Sequence, residues 1–261
     1  MDKLKFAFLG ATNYSKELLL FLINNDFFPK AIFSIPQEFK ISYSEKKVKN
    51  SNYADLKEIA EKYNIAYYEV DSVEGKRLKD YEKIIQNLHL DLMLVLGWYY
   101  MIPRSIRDLT KYGAWGIHAS LLPKYAGGAP LTWAIINGEK ETGVTLFRMD
   151  DGVDDGDIIA QKSFKIEYAD TIKEVYEKAT EESKKILLDT LVNISSINFK
   201  KQDKEKLQIY PQRKPEDGEI DLSMSAEELY NFVRAQSSPY PGAFIRLKDG
   251  KKLIIEKARV E

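Results

Sequence analysis

The chain has no cysteine. That excludes a thiol nucleophile, a disulfide scaffold and a thiolate-bound metal. Histidine is nearly as scarce, with His89 and His118 the only two. Any imidazole chemistry must come from one of these positions. Long hydrophobic runs are missing too. The start, "MDKLKFAFLG", holds only a short apolar stretch closed by Gly10. A membrane span needs about twenty apolar residues, and a secretory leader needs a longer apolar core with a small-residue cleavage site. Neither pattern is visible, and the expectation is a cytoplasmic protein with no membrane partner. Excess charge of one sign is also absent. The 39 basic and 40 acidic side chains give a net charge of −1, so a general electrostatic grip on nucleic acid is not expected. The first loop, "GATNYS", carries one glycine where a dinucleotide fingerprint needs three. No Gly-Lys-Ser/Thr phosphate loop occurs either, which sets NAD, FAD and P-loop nucleotide binding aside.

What the chain does have is alternation. At 261 residues it can bury a proper core as one large domain, or as a main domain plus a small one. "KFAFLG" (5–10), "KAIFSI" (30–35), "IAYYEV" (65–70) and "LDLMLVLG" (90–97) read as strands. Helical spacing lies between them, in "TNYSKELLLFLINN", in "YADLKEIAEKYN" and around 78–87. Apolar strands alternating with helices predict an α/β fold with a Rossmann-like parallel sheet covered on both faces. Ligands of such sheets sit beyond the carboxyl ends of the strands. The loops after Gly10, Ile35, Gly97 and His118 therefore take priority. "TGVTLFRM" and "DIIAQKSFKI" predict two more strands joined by the acidic turn "DDGVDDGD", and a long helix follows with Asp170-Thr171 as its N-cap. Past residue 200, "KKQDKEKLQIYPQRKPEDGEIDLS" reads as a charged connection. Residues 225–235 then read as a helix, and "GAFIRLKDGKKLIIEKARV" as a hairpin turning at Asp-Gly. The expected domains are 1–204 and a small α+β subdomain over 205–261.

His118 closes the predicted strand "GAWGIH" and precedes a loop of small residues. A core histidine is the alternative reading, but a strand end followed by such a loop favours function. His89 falls at the amino end of a strand and reads as structural. The acidic turn holds Asp150, Asp151, Asp154, Asp155 and Asp157 but lacks the closing glutamate of a calcium hand. No metal is expected. A histidine and an aspartate on neighbouring strand-end loops can form a proton-transfer pair. The carboxylate sets the imidazole tautomer and stabilises its protonated form.

The stretch "GIHASLLPKYAGGAPLTWAIINGEKETGVTLFRMDDGVDDGDIIAQ" resembles the core of the formyltransferases that use 10-formyltetrahydrofolate. Their motifs are Asn-x-His-x-Ser-Leu-Leu-Pro, Gly-x-x-Pro, Glu-Thr-Gly-Val and Gly-x-Asp-x-Gly. His118, Ser120, Leu121, Leu122, Pro123, Gly127, Pro130 and Glu141 to Val144 match, and Asp154 lies between Gly152 and Gly156. The resemblance implies that His118 and Asp154 are catalytic. It implies that Gly97, Trp98, Tyr99, Tyr100 and Met101, with Asp150 and Asp151, hold the folate. Asn13, Ser120, Lys124, Tyr125 and Arg213 are the candidates on the acceptor side. One departure stands out: the family's catalytic asparagine, two residues before the histidine, is Gly116 here. Losing one oxyanion donor typically costs about 100- to 1000-fold in turnover, which leaves three explanations: a replacement donor, with Asn13 the candidate, a relaxed dependence on the donor, or reduced activity. "YPQRKPEDGEIDL" and "RAQSSPYPGAF" are most similar to the sugar-modifying members. The near-neutral charge and the short course after the hairpin point the same way. The expected acceptor is therefore an amino sugar linked to dTDP, UDP or GDP in polysaccharide synthesis, and no nucleic acid. A homodimer is compatible with this reading. The alternatives are a methionyl-tRNA formyltransferase, a deformylating hydrolase, and a catalytically weak folate- or nucleotide-binding homologue.

Overall fold

The computed structural model describes residues 4–39, 47–71 and 77–261. Its sheet strands are β1 (Phe6–Leu9), β2 (Ala31–Ser34), β3 (Ala66–Glu69), β4 (Leu92–Val95), β5 (Ala114–His118), β6 (Glu141–Arg148) and β7 (Ile158–Lys165). β1, β2 and β4 are buried at every position. Helices cover both faces of such strands, which is why they read as unbroken apolar runs rather than as alternating ones. The seven strands lie in the order β7-β6-β5-β4-β1-β2-β3. β1 runs parallel to β2 and β4, β2 to β3, and β4 to β5, whereas β6 and β7 are antiparallel. The chain order reverses between β1 and β4, so their carboxyl-end loops flank the switch point where ligands of open α/β sheets bind.

The chain divides into two compact units, residues 1–117 with 148–151 and residues 118–147 with 152–261. In the first, helix α1 (Asn13–Asn24) is capped by Thr12, whose side chain accepts from the Ser15 backbone while Ser15 answers in return. Its buried face, Leu18, Leu19, Leu22 and Ile23, has the three- and four-residue spacing of a helix lying on a core. Ser15 also ties the two switch-point loops together, its Oγ donating to the Leu96 carbonyl at 2.6 Å. Gly97, at φ +70°, is required there because a Cβ would stand 2.3 Å from Thr12 Oγ1. Two further helices, α2 (Lys57–Lys62) and α3 (Glu82–Asn87), complete the pattern read from the sequence. His89 lies just past α3, exposed and at φ +46°.

In the second unit, α4 (Pro130–Ile136) packs against α6 (Ala226–Ala235), and α5 (Ile172–Val192) packs along β7. Thr171 caps α5 in a reciprocal box with Glu174, and Ser225 caps α6 in the same way with Glu228. Helix α4 was not foreseen: it is short and hides behind the Gly-Gly-Ala run, although Pro130 at its first position suits a helix start. The hairpin of β8 (Ala243–Arg246) and β9 (Lys252–Ile255) lies where the Asp-Gly turn placed it. No helix among the described residues is long and apolar enough to cross a membrane.

Candidate active site

His118 is the last residue of β5 and is 8% exposed. Both ring nitrogens face protein groups. Nε2 lies 2.6 Å from the Tyr125 carbonyl, and Nδ1 lies 3.3 Å from Asp154 Oδ2. A carbonyl and an ionised carboxylate both only accept, so the imidazolium satisfies both contacts; in the neutral ring the shorter contact, Nε2 to the Tyr125 carbonyl, takes the hydrogen and Nδ1 is left basic. The Tyr125 carbonyl thus joins Asp154 in orienting the ring. Asp154 faces the nitrogen that takes up a proton and becomes its counter-charge once it has done so. Oδ2 also accepts the Gly127 backbone N–H at 2.8 Å, which fixes the carboxylate independently of the histidine. At 22% side-chain exposure against 9% for His118, Asp154 is the outward member of the pair. The pair can hold one proton and release it.

The loop between His118 and α4 makes this possible through its backbone. Tyr125 and Gly127 both take left-handed conformations, at φ +55° and +90°. Gly127 is required because a Cβ would meet the Tyr210 carbonyl at 2.5 Å. The Tyr125 ring is anchored below, its hydroxyl donating to Glu139 at 2.8 Å and accepting from Asn137. Burial is the main cause that pushes this phenol up to about 12, with the Asn137 bond opposing and the Glu139 carboxylate assisting. Tyr125 thus contributes a carbonyl to the site, while its side chain serves as an anchor. Ser120 is fully buried, and its hydroxyl donates to the Lys124 carbonyl at 2.6 Å. In this structure the Ser120 hydroxyl shapes the loop. Lys124 is exposed. The Arg213 guanidinium stacks over Trp133 at 4.7 Å and donates to Gln236 and the Asp217 carbonyl. Arg213 is thus an internal brace of the C-terminal segment, and burial pushes its guanidinium below its ordinary value.

The remaining candidates belong to the other unit. Asn13 opens α1, and its amide donates to Asn52 at 2.9 Å. Gly116 is buried in β5, in register with Val95. Tyr99 donates to Asn50 at 3.0 Å, and Tyr99 and Tyr100 both pack on Phe39. The Trp98 Nε1 is buried without a hydrogen-bond partner among the described residues. Met101 is 68% exposed at the lip of the loop. Asp150 and Asp151 are gathered by the buried Arg107, which donates to the Asp150 carbonyl and the Asp151 carboxylate. Arg107 was missed from the sequence because nothing there links it to the acidic turn. The described residues include no cluster of three or more potential metal ligands.

This arrangement of a parallel sheet with a strand-end histidine and a turn aspartate coincides with a family match. The formyl transferase profile fits residues 4–191, and the formyl transferase C-terminal domain profile fits residues 213–261. The chain belongs to the formyl transferase family. It is 41% identical over 205 residues to the bifunctional polymyxin resistance protein ArnA of Wigglesworthia glossinidia brevipalpis, covering 72% of this chain and 31% of that protein. It is 34% identical over 205 residues to the methionyl-tRNA formyltransferase of Caldicellulosiruptor saccharolyticus, covering 78% of this chain and 65% of that one. The chain thus spans less than two thirds of either relative. A sugar N-formyltransferase structure from a Shewanella species superposes with a TM-score of 0.74 at 19% identity, over 99% of each chain.

Proposed function

We propose that the chain moves a formyl group from 10-formyltetrahydrofolate to the amino group of a nucleotide-linked sugar. The observation that carries the reading is the His118 ring, locked at Nε2 by a carbonyl and facing a carboxylate at Nδ1. The donor supplies a formyl group on nitrogen, and its passage to an amine leaves one proton to be moved from the acceptor nitrogen to the departing one. Asp154, the outward member, meets the amine and lowers the cost of its positive charge. His118 Nδ1 takes the proton, is held as imidazolium by Asp154, and returns it to the leaving nitrogen. General acid–base help of this kind supplies roughly 100- to 10,000-fold.

The loop after β4 suits a pterin, a flat ring with acceptors along its edge. Trp98 has a buried N–H without a partner among the described residues, and two tyrosines lie beside it. Trp98, Tyr99, Tyr100 and Gly97 would hold that ring, with Met101 at the rim. A sugar acceptor is supported by the C-terminal motifs, by the net charge of −1 and by the likeness to the Shewanella enzyme.

The second reading, formylation of methionyl-tRNA, is favoured by the 34% identical Caldicellulosiruptor relative. A single-turnover assay with 10-formyltetrahydrofolate decides between them. It offers amino sugars linked to dTDP, UDP and GDP beside charged methionyl-tRNA. Faster formylation of the tRNA than of every sugar would overturn the proposed acceptor.

A further inference from the structure

Residues 200–210 read in the sequence as a charged connection, yet they touch both loops that carry His118 and Asp154. Lys200 exchanges two backbone hydrogen bonds with Ile158, each 2.8 Å, which docks the segment at the exit of the acidic turn. Gln202 then turns its amide onto that turn. Its Nε2 donates to the carbonyls of Asp154 and Gly156, both at 2.7 Å. Two carbonyls can only accept, so the amide must present its nitrogen. Gln202 Oε1 is buried without a partner among the described residues, so the donor end alone holds this side chain in place. Asp154 sits at φ +50°, a left-handed conformation that aspartate adopts more readily than most side-chain-bearing residues, and the Gln202 amide holds it there through its carbonyl.

The far end of the segment grips the other loop. Gln208 N donates to the Pro123 carbonyl at 3.2 Å, and Gly128 N donates to the Tyr210 carbonyl at 2.8 Å. Ile209–Tyr210 pairs in parallel with Ala126–Gly127. The Tyr210 ring stacks on Tyr125, with centroids 4.7 Å apart and an interplanar angle of 28°. One strip of chain therefore fixes the carbonyl on Nε2, the amide on Oδ2 and the backbone of Asp154.

We propose that residues 200–210 form a strap that sets the geometry of the His118–Asp154 pair, with Gln202 as the positioning residue for Asp154. The inference rests on reading that pair as the proton-transfer centre. The contact at stake has little slack: at 3.3 Å, Nδ1 to Oδ2 is at the long end of a hydrogen bond. A displacement of about 1 Å in such a group can cost about a hundredfold in rate.

The test pairs kinetics with the imidazole 15N spectrum, which is simple because the chain has only two histidines. Gln202→Glu keeps the shape but sets an acceptor against two carbonyls. Turnover should fall about a hundredfold, with the KM of both substrates held within about threefold. The His118 Nδ1 signal should move toward its position in Asp154→Asn, while Nε2 stays protonated. Gln202→Met, similar in length and without a donor, serves where Gln202→Glu does not fold. Glu205→Ala, on the exposed side of the same strap, should change neither readout. Wild-type turnover in a folded Gln202 variant would overturn the proposal, and so would lost turnover with an unmoved His118 signal. Failure of both variants to fold would also overturn it, because the role would then be structural. If the wild-type chain formylates no acceptor, the proposed function falls, and the His118 signal still decides the strap.

Discussion

Asp154→Asn tests the division of labour in the site, with Asp155→Asn as its control. Asp154 Oδ2 lies 3.3 Å from His118 Nδ1 and accepts the Gly127 N–H at 2.8 Å. With the imidazole charged, unit charges at this 3.3 Å separation attract by about 5 kcal/mol at an effective dielectric constant of about 20. The Asp154 side chain is 22% exposed, so solvent takes part of that. Hydrogen bonds to charged groups are worth about 1.5–3 kcal/mol, and that range is the better working figure. It corresponds to about 10- to 100-fold in turnover. The asparagine adds a second penalty. If its oxygen stays on Gly127, the charge is gone; if its NH2 swings to Nδ1, the basic lone pair is occupied. We therefore expect a loss of about a hundredfold or more in kcat, with both KM values changed by less than about threefold. Asp155, one residue on, instead pairs with Lys204 at 2.7 Å, and that lysine is 64% exposed. Asp155 itself is only 13% exposed, so the pair is worth more than the ~0–1 kcal/mol of a wholly exposed one; it ties the turn to the strap at Lys204 and does not touch the imidazole. Asp155→Asn should cost turnover much less than Asp154→Asn, because it loosens one contact of the strap and leaves the carboxylate that faces Nδ1 in place. Steady-state kinetics on both variants, with circular dichroism to verify folding, is the assay. Equal losses would refute the reasoning, because the turn would then act through its total charge rather than through one oriented carboxylate.

Other perturbations address the scaffold. Gly127→Ala would force a Cβ to within 2.5 Å of the Tyr210 carbonyl at a backbone φ of +90°. It should cost about 1–3 kcal/mol in urea unfolding and lower turnover as well; an unchanged midpoint would contradict the packing. Burial first of all pushes the Tyr67 and Tyr125 phenols up to about 12. An unfolded tyrosine titrates near 10, so their contribution to stability is whole below about pH 10 and is lost as pH rises toward about 12. Tyr125→Phe should flatten the fall of the urea midpoint across that window, and an unaltered slope would show the assignment to be wrong. Thr171→Ala removes the cap of α5 and its box with Glu174. A loss of about 1 kcal/mol is expected from the Tm, with kcat unaffected.

Much of the fold was legible because burial wrote it plainly. β1, β2 and β4 are continuous apolar runs closed by turn residues, and α1 and α5 carry both an apolar stripe and a cap. Elements held by tertiary contacts alone were not legible. Helix α4 has seven residues and no side-chain cap, and the two-residue ladder between Ala126–Gly127 and Ile209–Tyr210 pairs segments far apart in sequence. The same divide runs through the site. His118 stood out by residue type and strand-end position, whereas Asp154 was singled out among five aspartates only by the resemblance to the family's glycine-flanked motif. The internal contacts of Ser120 and Arg213 were not legible, because a hydroxyl or guanidinium near a site looks alike in sequence whether it meets a ligand or braces a loop. Arg107 and Gln202 gave no signal, since each acts on a backbone carbonyl whose partner the sequence does not name.

That last point bears on Gly116. A donor for the formyl oxygen cannot come from position 116 as a side chain, because glycine has none. The site already assigns two of its tasks to the main chain: the Tyr125 carbonyl fixes the tautomer and the Gly127 N–H fixes the carboxylate. Both depend on left-handed backbone conformations at 125 and 127, not on what the side chains can donate. A backbone donor costs no side-chain entropy to hold and is already oriented before a ligand arrives. Electrostatic help for the reacting oxygen can be supplied in the same way, by a fixed N–H rather than by an amide side chain. The residue that departs most clearly from the family pattern is therefore the one whose task is easiest to move from side chain to main chain. His118 and Asp154, as the proposed proton-transfer pair, have no such substitute, because no peptide N–H or C=O can take up and release a proton near neutral pH.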